Sequence, residues 1–231
     1  MIRIVHAADL YRRPVLAASM FRDRAGQFKE RLGWDAVSLD DLGLEFDAYD
    51  DLNPVYVIIE DDAGEHCASA RLLPTTGRTM LAEHFSDLTD GVAIKSPLIW
   101  EVTRCCVSPR LDPRHPLTRR APAALFWAGC DLALRSGVEF FVAVYFSHMQ
   151  RVWKAGGFAP EILGGRETPA GEILCGMWEI TPEFRDMLAT KAGMAGETTI
   201  DYFPREDRFP LRPGEAIQNE MAVAAEVASF L

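Results

Sequence analysis

The hydrophobic residues of this chain change between helical and strand-like spacing several times along its length. Residues 10–31 have apolar side chains at i, i+4, i+7 and i+11, which predicts an amphipathic helix that Gly33 ends. Its apolar face contains Phe21, Ala25, Phe28 and Leu32. The acidic stretch that follows, 38–53, lacks helical periodicity and predicts a loop.

Runs of β-branched and other apolar residues predict five strands between turn-forming stretches. They cover residues 55–59, 67–73, 98–107, 140–146 and 173–180. Helical patterns lie between or after them at residues 79–88, 116–136, 147–155 and 182–192. The helix from Ser147 begins with the form of a capping box and ends at Gly156 and Gly157.

The order of these elements predicts the fold class. Strands and helices alternate imperfectly, which favours an α/β (α+β) fold with a mixed, mostly antiparallel sheet flanked by helices. We expect one domain at residues 1–193. The chain then becomes polar and proline-bearing, which predicts an appendage at 194–231 that is partly helical from Glu215.

Composition narrows the class of protein. With 231 residues, 48% hydrophobic and 25% charged, the chain is typical of a soluble globular protein. No apolar run approaches a membrane span and the start of the chain lacks the apolar region of a signal peptide, so we expect no membrane association. Five cysteines without a C-x-x-C pair support neither a disulfide framework nor a metal site, and they favour the cytoplasm.

Charge is distributed unevenly along the chain. The net charge of −10 divides into −8 for residues 1–103, +5 for 104–154 and −7 for 155–231. The acidic total disfavours nucleic acid as a partner, because such binding depends on neutralising phosphates. The basic middle is suited to an acidic partner such as a nucleotide-bearing thioester or an acidic carrier protein. A solvated face with scattered arginines is the alternative.

Several charged and aromatic residues in the first half of the chain are not required by the apolar pattern. They are Arg24, Phe28, Trp34, Glu45, Asp47, Asp50, Arg71, Glu101 and Arg104. Aromatic faces attract cations, carboxylates bind ammonium groups, and arginine presents a planar fork to a carboxylate. Together these types suit a small molecule with a cation, a carboxylate and an adenine-like ring.

These residues lie in four motifs that resemble the N-acyl-homoserine lactone synthases of bacterial quorum sensing. The motifs are Arg24-x-x-x-Phe28-x-x-Arg31-Leu32-x-Trp34, Glu45-x-Asp47-x-Tyr49-Asp50, Ala70-Arg71-Leu72-Leu73-Pro74-Thr75-Thr76 and Trp100-Glu101-Val102-Thr103-Arg104. The resemblance covers about residues 20–180. It implies the N-acyltransferase fold, in which splayed central strands admit the pantetheine arm of a thioester.

The resemblance also implies a reaction with two steps. The amine of S-adenosylmethionine attacks an acyl thioester, and the methionine carboxylate then displaces methylthioadenosine from its own γ-carbon to close a lactone. S-adenosylmethionine is a substrate here, and no cofactor is expected. Arg24, Phe28, Trp34, Asp47 and Asp50 are assigned to this substrate. The structural alternatives are core packing for Phe28, hydrophobic capping for Trp34, and a solvated surface for the acidic loop that contains Asp47 and Asp50. For Arg71 and Arg104 the alternative is a buried ion-pair network with Glu45, Asp47 or Glu101.

Catalysis is assigned to Glu101, Arg104 and Arg71. Glu101 is the candidate base, directly or through a water, because the amine must lose a proton before it attacks. Strict strand alternation would place Glu101 and Arg104 on opposite faces. We therefore predict a β-bulge near residues 102–105, which would bring both to one side and free a backbone N–H for the thioester oxyanion.

The acyl pocket is assigned to a set of mostly apolar residues. They are Trp100, Cys105, Phe126, Ala143, Met149 and Trp153. Ala143 stands where family members that prefer 3-oxoacyl chains carry a threonine, so an unsubstituted or otherwise non-3-oxo chain is expected. Cys105 replaces a usual phenylalanine, which leaves the chain length open.

The acyl donor is either an acyl carrier protein or acyl-coenzyme A. Seven basic side chains could receive either one: Arg110, Arg114, Arg119, Arg120, Arg135, Arg151 and Lys154. Two other functions stay open at this point. A non-lactonising N-acyltransferase would not release methylthioadenosine, and a non-catalytic sensor would bind ligands without turnover.

Overall fold

The computed structural model describes residues 1–34, 37–194 and 200–202, and it has a mixed sheet with helices. The strands are β1 (Ile2–His6), β2 (Val55–Glu60), β3 (His66–Pro74), β4 (Ile99–Val107), β5 (Phe140–Phe146), β6 (Glu161–Arg166), β7 (Ile173–Glu179) and β8 (Ile200–Tyr202). The helices are α1 (Ala7–Leu10), α2 (Pro14–Arg24), α3 (Met80–His84), α4 (Pro116–Arg135), α5 (Gln150–Gly156) and α6 (Pro182–Ala192). A π-helical segment (Ala25–Arg31) follows α2, and 3₁₀ turns cover Asp50–Leu52, Ser86–Thr89 and Ser147–Met149.

The strands form one sheet in the order β6-β7-β5-β4-β3-β2-β1-β8. Pairs β1–β2, β5–β7 and β6–β7 are antiparallel, whereas β1–β8 and β4–β5 are parallel. The predicted fold class, a mixed and mostly antiparallel sheet flanked by helices, is confirmed. All five predicted strands, and the predicted helices at 116–136 and 182–192, match the observed elements to within one residue at either end.

The helix predicted at 10–31 is instead made of separate pieces. Pro14 starts α2 because its ring cannot supply the N–H that continues a helix and its fixed φ suits a first helical position. After Arg24 the backbone widens, and the N–H of Leu32 donates to the carbonyl of Gln27 at 3.1 Å, five residues back. Gly33 follows with a φ of +63°, as expected of the residue that ends the segment.

Three strands were not predicted from the pattern of apolar residues. β1 is a short run at the start of the chain, and β8 lies in the predicted appendage, where it pairs with β1. β6 contains two glycines, which weaken the strand signal. A Cβ on Gly164 would lie 2.2 Å from the carbonyl oxygen of Leu88, so this position requires glycine. The boundary at 193/194 stays a prediction, because most of 194–231 lies outside the described residues.

The helix predicted to start at Ser147 also differs. Ser147 lies inside the 3₁₀ turn, and Met149, which precedes α5, provides no side-chain cap. The capping-box prediction was wrong because a capping residue must be extended, whereas the extended residue here is Phe146. The predicted end is confirmed, since Gly157 has a φ of +77°.

The chain divides into two compact units. The first contains residues 1–69, 106–118 and strand β8. Its core is formed by apolar residues of β1, α1, α2 and β2: Val5, Leu10, Leu16, Met20, Phe21, Tyr56 and Ile58. α2 packs on this core, and this packing places Arg24, the last residue of α2, in the interior of the unit.

The second unit contains, among the described residues, 70–105 and 119–194. Within the described residues, β4 and β5 pair at three positions, which join Ile99–Glu101 to Phe140–Val142, although both strands continue further. Parallel strands that pair at one end and then continue are splayed, as the resemblance implies. By contrast, β5 pairs with β7 along its whole length. None of the helices in the described part of the chain has both the length and the apolar character to cross a membrane.

Candidate active site

Arg24 lies at the centre of a buried charge network in the first unit. Its Nη1 and Nη2 donate to the two carboxylate oxygens of Asp50 at 3.0 and 2.9 Å, and its Nε donates to Glu45. The Tyr56 hydroxyl donates to Asp50 at 2.5 Å. Arg24, Glu45 and Asp50 are each 1% exposed. Burial acts to lower the pKa of Arg24, but the Asp50 and Glu45 carboxylates raise it well above its ordinary value, so the guanidinium stays charged.

The same network sets the conformation of the acidic loop. Asp50 accepts a hydrogen bond from the backbone N–H of Asp47 at 2.9 Å, and Asp47 accepts one from the N–H of Tyr49 at 2.9 Å. The turn from Asp47 to Asp50 is therefore held by the buried network and is not simply solvated. The Arg24 fork binds Asp50 and Glu45, so the contacts of Arg24 are those of a buried ion-pair network. Asp47 is half-buried beside this network.

Phe28 and Trp34 form an aromatic pair in the same unit. Their rings stack with centroids 5.0 Å apart and planes 16° apart. Phe28 is buried in the π-helical segment and Trp34 is half-buried, and both pack with Val37 and Cys106. The backbone N–H of Trp34 donates to the carbonyl of Phe28 at 3.0 Å, which places the two rings side by side. Stacked rings with electron-rich faces are a surface to which a sulfonium or ammonium group is attracted.

In the second unit, Glu101 anchors the start of α3. Its two carboxylate oxygens accept the backbone N–H groups of Met80 at 3.0 Å and Leu81 at 2.6 Å. The Thr79 hydroxyl accepts the next N–H, from Ala82, at 3.2 Å. The first N–H groups of a helix have no partner within it, so these bonds stabilise a helix of only five residues. The sequence did not reveal this role, and the assignment of Glu101 as a base stays a prediction.

Arg71 and Arg104 reach the same short helix. Arg71 is fully buried and donates from Nε to the Thr103 hydroxyl at 2.9 Å. Arg71 Nη2 lies 3.6 Å and Arg104 Nη1 lies 3.4 Å from the sulfur of Met80. The three residues assigned to catalysis thus meet at Met80, one through the backbone and two through the side chain. Sequence reasoning missed Met80 because its only signal is the position after Thr79, a common capping residue.

The backbone of β4 is irregular at Arg104. Its φ is +50°, in the left-handed region that non-glycine residues seldom occupy. A residue in this conformation inside a strand breaks the strict alternation of side chains. Arg104 lies within residues 102–105, where a bulge was predicted. Side chains before and after Arg104 therefore need not alternate strictly between the two faces of the sheet.

The residues assigned to the acyl pocket are placed in different surroundings. Phe126 and Trp153 are buried and belong to an aromatic cluster in the second unit, with ring centroids 5.5 Å apart. The cluster also contains Phe141, Tyr145, Phe158 and Trp178. Ala143 is buried on β5 opposite Gly176 of β7. Trp100 and Met149 are half-buried, whereas Cys105 is exposed.

Comparison with known proteins adds to this geometry. The sequence pattern of the family described as autoinducer synthase matches residues 9–177. An acyl-homoserine-lactone synthase of Rhizobium etli is 37% identical over 166 residues, which are 71% of this chain and 77% of that protein.

Two solved structures resemble the fold over most of the chain. The CoA-dependent acyl-homoserine lactone synthase BjaI, in complex with SAM and isopentyl-CoA, is 26% identical, has a TM-score of 0.75 and covers 94% of this chain and 98% of its own. An N-acetyltransferase from Lactobacillus plantarum is 15% identical, with a TM-score of 0.52 over 78% of this chain and 99% of its own. At that identity the likeness concerns the fold alone.

Proposed function

The chain belongs to the autoinducer synthase family, and on that premise we propose how each of its charge and aromatic clusters serves the reaction. The protein is an acyl-homoserine lactone synthase, an acyltransferase that makes a quorum-sensing signal from S-adenosylmethionine and an acyl thioester. In the first step the amine forms an amide and the thioester carbon–sulfur bond breaks. In the second, a carboxylate oxygen bonds to the γ-carbon and methylthioadenosine leaves.

We assign S-adenosylmethionine to the first unit. The Phe28 and Trp34 rings face the cationic part of the substrate, and Asp47 binds its ammonium group. Arg24 and Asp50 hold the loop that presents Asp47. The observation that supports this most is the burial of Arg24 with two carboxylates, because buried ionic groups are costly and the apolar core does not require them.

We assign the acyl transfer to residues of the second unit. Glu101 removes the proton from the amine, directly or through a water, and Arg104 and Arg71 stabilise the negative charge that develops. The irregular backbone at Arg104 supplies an N–H toward the thioester oxygen. Trp100, Cys105, Phe126, Ala143, Met149 and Trp153 line the acyl chain.

We propose acyl-coenzyme A as the donor. The likeness to BjaI, whose structure holds a coenzyme A thioester, supports this choice over an acyl carrier protein. Arg110 is paired with Asp23 and Glu65, and Arg135 is paired with Asp131. The other five basic side chains named for the donor suit the phosphates of coenzyme A: Arg114, Arg119, Arg120, Arg151 and Lys154. All five cysteines are free thiols, which supports a location in the reducing cytoplasm. S-adenosylmethionine is consumed as a substrate, and no other cofactor enters these steps.

The test is a turnover assay with purified protein, S-adenosylmethionine and a panel of acyl-coenzyme A and acyl-carrier-protein donors. Mass spectrometry follows methylthioadenosine and lactone together. Both products are expected to rise with the same acyl-coenzyme A. Turnover with carrier-protein donors alone would contradict the donor assignment. An acylated amine without methylthioadenosine, or binding without turnover, would contradict lactone synthesis.

Trp34→Ala is expected to raise the KM for S-adenosylmethionine about tenfold, because a cation bound to a tryptophan face is stabilised by about 1–2 kcal/mol. Trp34→Phe keeps a smaller aromatic face and should raise it less. Steady-state kinetics measure both. The KM for the acyl donor serves as the internal control and should change by less than about twofold. An unchanged KM for S-adenosylmethionine in Trp34→Ala would contradict the assignment.

An unsubstituted acyl donor is expected to react faster than the 3-oxoacyl donor of equal length, because Ala143 offers no hydroxyl to the 3-oxo group. Ala143→Thr should shift the ratio of the two rates about fivefold toward the 3-oxoacyl donor, the effect of one neutral hydrogen bond. Ala143→Val has the same shape as threonine without the hydroxyl and should not shift it. Faster turnover of 3-oxoacyl donors by the unaltered protein would refute this specificity.

A further inference from the structure

A buried Asp–His–Ser chain lies in the first unit, outside the residues assigned to the substrates. His66 Nδ1 lies 2.8 Å from an oxygen of Asp23, and Nε2 lies 2.9 Å from the Ser69 hydroxyl. Because a carboxylate only accepts, Nδ1 carries the proton and Nε2 accepts from Ser69. The order matches a hydrolytic triad, but Ser69 is 2% exposed and no substrate can reach it. These three residues therefore have a role other than hydrolysis.

Arg110 completes the network from the segment after β4. Its Nε and Nη2 donate to the two oxygens of Asp23 at 2.8 and 3.1 Å, and Nη2 also donates to the carbonyl of His66 at 3.1 Å. Nη1 forms an ion pair with Glu65. Burial alone would raise the pKa of Asp23, but hydrogen bonds from His66 and Arg110 lower it below its ordinary value. Burial lowers the pKa of His66. The network thus pairs an ionised Asp23 with a neutral His66.

The neighbours of Arg110 contact the same helix one turn further on. A Cβ on Gly26 would lie 3.1 Å from Cγ of Pro109, so the π-helical segment packs closely against this residue. Ser108 helps to lower the pKa of the Asp23 carboxylate. The segment 108–110 therefore holds the helix at Asp23 and at Gly26, the positions on either side of the residue pair Arg24–Ala25.

We propose that Asp23, His66 and Arg110 form a positioning network for S-adenosylmethionine binding, which fixes the junction between α2 and the π-helical segment. The proposal rests on the function proposed above for the first unit. Neighbouring residues on a helix point about 100° apart. Asp23 is tied to His66 and Arg110, while Arg24 is tied to Asp50 and Glu45. A helix bound at two adjacent residues in different directions cannot rotate about its axis, so the position of Phe28 is fixed.

Arg110→Ala tests the proposal. The Arg110 side chain is 45% exposed, so its loss opens no cavity in the apolar core, although Asp23 loses its cationic partner. We expect the KM for S-adenosylmethionine to rise about tenfold, with kcat and the KM for the acyl donor changed by less than about twofold. Arg110→Lys keeps the charge without the fork and should restore only part of the loss. Gly26→Ala pushes Pro109 away from the helix and should give the same selective change in KM.

Two controls separate positioning from a general loss of stability. Arg135→Ala removes an exposed arginine paired with Asp131, and Arg3→Ala removes a buried arginine paired with Glu60 in the same unit as Arg110. Neither should change the KM for S-adenosylmethionine, even if Arg3→Ala lowers the melting temperature as much. An equal rise in Arg3→Ala, or a rise in both KM values in Arg110→Ala, would overturn the proposal.

Trp34→Ala, measured in parallel, distinguishes this proposal from the function on which it rests. If Trp34→Ala raises the KM for S-adenosylmethionine and Arg110→Ala does not, the positioning network is refuted and the assignment of this substrate to the first unit stands. If neither variant changes it, the assignment of this substrate to the first unit fails.

Discussion

Glu101→Gln is expected to lower kcat by about 10²- to 10³-fold, while the KM for S-adenosylmethionine changes by less than about threefold. The amine of the substrate is an ammonium group at neutral pH and cannot attack until a base removes its proton. Glutamine has the shape of glutamate but cannot accept a proton. The substitution should therefore lower kcat and leave the binding of S-adenosylmethionine nearly unchanged.

The same substitution also disturbs the start of α3. Glu101 accepts two backbone N–H groups, whereas glutamine has one carbonyl oxygen and presents an NH₂ group to the other donor. Leaving one buried N–H unpaired costs about 1–3 kcal/mol. Part of the loss of activity could thus come from a displaced helix. A control that weakens α3 but keeps the carboxylate is needed.

Thr79→Ala is that control. It removes the hydroxyl that accepts the N–H of Ala82 at the same helix start, which costs about 1 kcal/mol. We expect its kcat to fall by less than about threefold, because Glu101 is retained. Release of methylthioadenosine measures turnover, and thermal unfolding measures stability for both variants. A loss of turnover in Thr79→Ala as large as in Glu101→Gln would contradict the role of Glu101 as base and leave it as a helix anchor.

Arg24→Ala is expected to lower the free energy of unfolding by about 3–5 kcal/mol. Removal of the guanidinium leaves the carboxylates of Glu45 and Asp50 buried without a cation. Such a loss is a large fraction of the whole stability of a typical domain, which is about 5–15 kcal/mol. Urea denaturation of the purified variant, compared at the same ionic strength, measures the difference.

Matched variants show which part of the network matters. Arg78→Ala removes an arginine that is 54% exposed and paired with Glu83, so it should change the free energy of unfolding by less than about 1 kcal/mol. Tyr56→Phe removes only the hydroxyl that binds Asp50 and should cost about 1 kcal/mol. If Arg24→Ala is no more harmful than Arg78→Ala, the buried network does not stabilise the acidic loop.

Much of the fold could be predicted because burial imposes a period on the sequence. β5 is apolar along its length, and α4 and α6 show helical spacing, so their bounds were predicted to within one residue. The π-helical segment could not be predicted, since Phe21, Ala25, Phe28 and Leu32 satisfy an α-helical period equally well. β6 was missed because its glycines follow from a close approach to Leu88, a long-range contact.

The candidate site was predicted as a set of residue types and not as a set of contacts. The motifs pointed to Arg24, Asp50, Arg71, Glu101 and Arg104, which need partners wherever they are buried. They did not reveal that Arg24 would bind Asp50, or that Glu101 would bind the start of α3. Those contacts depend on where a loop and a five-residue helix come to lie. His66 and Arg110 had no local signal, because their shared partner Asp23 is far away in sequence.

The π-helical segment bears on how this sequence can change over generations. Each π-helical turn contains more residues than an α-helical turn, so deletion of one residue between Arg24 and Phe28 would favour an unbroken α-helix. The deletion would also rotate the aromatic ring about 100° around the helix axis. Selection for stability alone would accept the shorter helix. Retention of the π-helical segment in descendants of this protein would therefore indicate selection for substrate binding. A lineage that had lost one residue between Arg24 and Phe28 would be expected to have lost production of the lactone signal as well.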